Sequence, residues 1–75
     1  MVSDTQLVQA AIDAASLSAR RFAVEVLDVD ERTVRYWLAD QRAVPGTVRV
    51  VCRAIIDRPT LAIELIAAHE ALVRG

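Results

Sequence analysis

Three arginines, a tyrosine and a tryptophan fall between Asp28 and Arg42, in the stretch DVDERTVRYWLADQRAVPG that runs on to Gly46. A guanidinium carries its N–H donors in a planar fork that fits phosphate oxygens or the O6/N7 edge of guanine, and a nearby phenol can add a contact to phosphate or to a thymine methyl. The parts for bond-making chemistry are missing. His69 is the single histidine and Cys52 the single cysteine, no serine or cysteine stands with a base and an orienting acid, and there is no glycine-rich phosphate loop. Cys52 and His69 fall short of a four-ligand structural zinc site, and one cysteine cannot close an internal disulfide. The residues point to a binding protein rather than an enzyme, with no cofactor or metal.

What they bind is constrained by charge. The 75 residues are 55% apolar and 25% charged with a net charge of −1, which argues against a polycation that coats nucleic acid. The average hides a division. From Leu17 to Arg53 seven arginines (20, 21, 32, 35, 42, 49, 53) face five acids (Glu25, Asp28, Asp30, Glu31, Asp40), a local +2, while the flanks are acidic. No lysine occurs, which reflects either a GC-rich coding genome or a demand for bidentate contacts. The N-terminus MVSDTQLV does not read as a signal peptide and no apolar run is long enough to span a membrane, so a cytoplasmic location is expected. A chain this short makes one small domain, marginal alone, so a homo-oligomer is expected.

The elements that must carry these residues read as helices throughout, because apolar positions recur at three- and four-residue spacings with no sustained alternation. Five are expected. Ser3-Asp4-Thr5-Gln6 has the form of a capping box ahead of a stripe of Leu7, Val8, Ala11, Ile12 and Ala15. A second helix runs from about Ser18 to Leu27 with Phe22, Ala23, Val26 and Leu27 inward. A third begins after Asp30 as N-cap and ends near Asp40, with Val34, Trp37 and Leu38 on its inner side and Arg32, Arg35, Tyr36 and Ala39 outward. The fourth covers about 46 to 57 with Val48, Val51, Cys52, Ile55 and Ile56 buried, and Pro59 opens a fifth that continues to about Val73. The very short link after Leu27 forces helices two and three into a sharp turn, and Asp28 is expected to supply its positive φ.

Leu17, Ser18, Ala23, Leu27, Val29, Thr33, Val34, Trp37 and Leu38 make the run LSARRFAVEVLDVDERTVRYWLADQRAVPG resemble the helix-turn-helix of the phage repressor/Cro (XRE-like) DNA-binding domains. The resemblance covers about 30 residues directly. Asp28 stands where that family usually has glycine, and Ala23 lies one residue farther from the turn than usual, as if helix two carried an extra residue. The resemblance implies a small all-α, lambda-repressor-like domain with its helix-turn-helix at about 17 to 39. It also implies a regulator that binds double-stranded DNA at an inverted-repeat operator and represses by occupying it, with its own operon among the candidate targets. Phage, mobile-element, antitoxin-like and anti-CRISPR-associated regulators belong to that wider group.

On this reading Arg32, Arg35, Tyr36, Glu31 and Ala39 face base edges, while Arg20, Arg21, Arg42, Arg49 and Arg53 meet phosphates; Arg49 and Arg53 read equally well as a solvated face. Trp37 belongs to the core. Helix five, about 59 to 73, carries more apolar surface than one contact needs, and Leu61, Leu65, Ile66 and Leu72 are expected at a homodimer seam; the plainer alternative is a helix that closes the core. The rival function is a protein-interaction module that keeps this fold and binds a protein through helix three or helix five.

Overall fold

The first two helices start where a serine takes up N–H donors that lack an intrahelical partner. In the computed structural model, which describes residues 3–74, Ser3 Oγ accepts from the Gln6 N–H at 3.2 Å while Gln6 Oε1 accepts from the Ser3 N–H at 3.0 Å, closing the expected capping box over α1 (Asp4–Ala15). Ser18 does the same for the second rod, accepting from the Arg21 N–H at 3.1 Å. Asp30 occupies the N-cap of α3 (Glu31–Leu38), but its side chain makes no capping bond and only its carbonyl receives Thr33 N–H. Helices α4 (Gly46–Asp57) and α5 (Leu61–Arg74) complete an all-α domain with five helices and no strand among the described residues.

The second rod, α2, is not a plain α-helix. One turn of α-helix at Ala19–Arg21 runs directly into a π-helix at Phe22–Leu27. Hydrogen bonds from residue i+5 rather than i+4 enclose one more residue per ring. At its end Asp28 adopts φ 56°, the left-handed conformation expected of it, and the N–H groups of Asp28 and Val29 both point to the Ala23 carbonyl.

Two other boundaries differ from expectation, for local reasons. Helix α3 stops at Leu38 rather than near Asp40, because Asp40 turns left-handed at φ 57° and reverses the chain: its N–H bonds the Trp37 carbonyl at 3.1 Å and the Gln41 N–H bonds the Tyr36 carbonyl at 2.8 Å, a Schellman motif. Helix α5 starts at Leu61 rather than Pro59. The N–H groups of Leu61, Ala62 and Ile63 reach back only three residues, to Arg58, Pro59 and Thr60, so the proline lies in a tighter lead-in turn.

Apolar spacing decides which faces meet. Val8, Ala11 and Ile12 of α1, Phe22 and Ala23 of α2, Val34 and Trp37 of α3, Cys52 and Ile55 of α4 and Ala62 of α5 form one buried cluster, with no buried polar residue among those described. Val44, in the loop before α4, joins the cluster although nothing in the sequence singled it out. Helix α1 packs chiefly on α4 and then on α3, α2 packs on α3, and α5 rests mainly on the π-helical part of α2. Among the described residues, no helix is long and apolar enough to cross a membrane.

Candidate nucleic-acid interface

The short link of residues 28–30 sets α3 sharply against α2, and packing of Val34 and Trp37 fixes which side of α3 faces out. At about 100° per residue, burying Val34 and Trp37 turns Arg32, Arg35, Tyr36 and Ala39 to the opposite side. Arg32, Arg35 and Ala39 are exposed there and Tyr36 is half-buried. Glu31 sits at the N-terminus of α3, where a carboxylate suits the helix dipole, and its Oε1 lies 3.8 Å from Arg35 Nε.

Two contacts remote in sequence hold this helix in place. Thr5 of α1 donates its hydroxyl to the Trp37 carbonyl at 2.8 Å, fixing the C-terminal end of α3. At the turn preceding α3, His69 Nε2 of α5 approaches Asp28 Oδ1 at 3.3 Å. The side chain of His69 is only 22% exposed.

The arginines expected on phosphates divide into two groups. Arg21 Nε meets Glu25 at 2.6 Å, Arg49 lies 3.7 Å from Asp4, and Arg53 lies 3.4 Å from Asp57. The Arg21–Glu25 hydrogen bond, helped by charge attraction, raises the guanidinium's pKa and lowers that of the carboxyl. These exposed pairs are weak and do not prevent a phosphate from displacing the acid. Arg20, Arg32 and Arg42 make no ion pair among the described residues. Arg42 instead lies over the Tyr36 ring, its guanidinium carbon 4.5 Å from the centroid, which brings it from the loop to the outer face of α3. Asp57 and Glu64 each hold an arginine, Glu64 through Arg58 at 3.0 Å.

The residues of helix α5 stand in different surroundings. Leu61 and Leu65, expected at a seam between copies, lean against the chain's own core, and Ile66 is half-buried. Leu72 is 82% exposed and Val73 74%. Leu72 continues the stripe begun by Leu61 and Leu65, but nothing of the domain lies opposite it. Among the described residues no three His, Cys, Asp or Glu side chains gather as metal ligands, and burial pushes the Cys52 thiol up to about 11. No family model matches the chain, and no curated protein and no solved structure was found similar to it.

Proposed function

We propose that the chain is a sequence-specific binder of double-stranded DNA that acts as a dimeric repressor by occupying an inverted-repeat operator. The observation that carries this reading is the outer face of α3, where exposed Arg32 and Arg35, and Arg42 from the following loop, surround the half-buried ring of Tyr36 on a helix presented by a tight turn. A helix of this kind fits the major groove, and guanidinium groups along its outer side reach base edges. On this reading Arg20 at the start of α2, and Arg49 and Arg53 on α4, hold the sugar-phosphate backbone. The exposed end of α5 supports pairing of two copies.

One observation favours the rival reading. Leu7, Val50, Val51 and Ala54 form a shallow apolar groove between α1 and α4, with Val50 70% exposed, as a protein-binding module would offer. The two readings part in a selection of duplexes from a random pool, followed by titrations at several salt concentrations. On the DNA reading a preferred sequence emerges. Arg32→Ala or Arg35→Ala then costs about 1–3 kcal/mol on the selected duplex and flattens its preference over random DNA. Arg49→Ala or Arg53→Ala weakens both duplexes alike and lowers the salt slope by about one per arginine. A pool that yields no sequence returns the case to the interaction module.

A further inference from the structure

Arg42 was grouped with the phosphate-binding arginines on sequence grounds, but its surroundings differ from theirs. The Schellman motif after Leu38 reverses the backbone through Asp40 and Gln41, so that the next residue returns along α3 instead of leaving it. Both hydrogen bonds of that reversal end on carbonyls of Tyr36 and Trp37, and the Thr5 hydroxyl holds the Trp37 carbonyl from the other side. The backbone on which Arg42 is mounted is therefore fixed relative to the reading helix. Its guanidinium then lies against the Tyr36 ring at 4.5 Å, with no ion pair to a carboxylate among the described residues.

This arrangement has chemical consequences. An aromatic surface takes one face of the guanidinium and restrains its torsions, while leaving the in-plane N–H donors free. A phosphate can take the same fork, but a point charge also serves it, so it does not require that alignment. A base edge does, because the O6 and N7 acceptors of guanine must meet two parallel donors in one plane. Long flexible arginines lose rotamer freedom when they are fixed, and here the protein has already restricted it before any ligand arrives.

We propose that Arg42 is a specificity-determining residue that reads a guanine of the operator, with Tyr36 as its positioning residue, rather than a backbone contact. The proposal rests on the DNA-binding reading of α3 and adds to it a required G·C pair. Unlike Arg32 and Arg35, which project from the helix, Arg42 reaches the groove from the loop and uses the aromatic ring as a shelf.

The test uses the full chain and the duplex selected from the random pool, with every single-base-pair variant of that duplex and a random duplex as competitors. Four proteins are compared with the parent: Arg42→Ala, Arg42→Lys, Tyr36→Leu and Tyr36→Phe, each checked for unchanged helicity. The expected result is that Arg42→Ala and Arg42→Lys both lose discrimination at the same G·C pair, roughly 5- to 150-fold, and keep it elsewhere. Tyr36→Leu weakens discrimination at that same pair, and Tyr36→Phe, which keeps the ring, restores it. Equal weakening on all duplexes with a smaller salt slope would make Arg42 a phosphate contact and overturn the proposal. Retained discrimination in Arg42→Lys, whose ammonium can also reach the guanine acceptors, overturns the assignment of Tyr36 as the shelf that positions a planar fork. A parent protein that selects no sequence removes the DNA reading and this proposal together, whereas a selective parent with a uniform Arg42→Ala defect removes the proposal alone.

Discussion

Among the described residues, three hold left-handed backbone without being glycine: Ser16 at φ 57°, Asp28 at φ 56° and Asp40 at φ 57°, each closing a helix. For a residue with a Cβ that conformation costs roughly 1–2 kcal/mol, less for aspartate, whose short polar side chain tolerates it. Glycine removes the cost but gives back about 0.5–1 kcal/mol through the greater freedom of the unfolded chain. Ser16→Gly should therefore be net stabilising by up to about 1 kcal/mol, a rise in Tm of roughly 4–8 °C per kcal/mol for a domain of this size. Asp40→Gly should gain less, and Asp28→Gly least, because it also removes the contact with His69. Thermal melts of the three variants give the order, and a Ser16→Gly protein less stable than the parent would contradict it.

At the scale of elements, much was readable because helix signals are local. Ser3 and Ser18 lie within three residues of the N–H groups they cap, and the inner faces of α1, α3 and α4 follow from spacing alone. The contacts that shape the candidate site are not local. Thr5 and Trp37 are 32 residues apart and His69 and Asp28 are 41 apart, so no pattern in a short window could pair them. Arg42 is near Tyr36 in sequence, but its return over the ring depends on a backbone reversal that ordinary helix periodicity does not encode. For α5, periodicity identified one apolar stripe without saying where the domain beneath it ends. That distinction changes the expected outcome of mutation. Leu65→Asp should unfold the chain, since Leu65 packs on the core, whereas Leu72→Asp should stay folded and lose self-association. Circular dichroism with light scattering separates the two; a Leu72→Asp protein with the parent's solution mass argues against a seam at that end.

The whole molecule exposes more surface than its size requires. Its accessible area is 4995 Å², where monomers of this length average roughly 4,500 Å², and its extents of 38 × 25 × 20 Å describe a body drawn out along one axis. An apolar helix end contributes to that excess, with Leu72 and Val73 both exposed. Covering it with a second copy would give a two-fold pair with two reading helices. On the proposed function, their separation should match half-sites one helical turn apart, about 34 Å or 10 bp, in inverted orientation. A footprint of the selected duplex inside longer DNA tests that layout directly. Protection of one asymmetric half-site would leave the protein binding DNA as a monomer.

The π-helical winding of α2 bears on how this chain tolerates changes in its length. Loss of one residue inside an ordinary helix rotates everything beyond it and scrambles the buried face, which is why in-frame deletions there are usually fatal. Phe22–Leu27 holds a residue in reserve. Removing Val24, 43% exposed and outside the core, should let the segment rewind as α-helix, with Phe22 three and four positions from Val26 and Leu27 and Ala23 three from Leu27 on the same side. The gene should accept a three-nucleotide deletion at that codon and still encode a cooperatively melting protein, while deletion of Val51 from the regular α4 should not. If both shortened chains fail to melt cooperatively, the wider turn is a fixed requirement of the fold and offers no route by which a helix of this kind gains or sheds a residue.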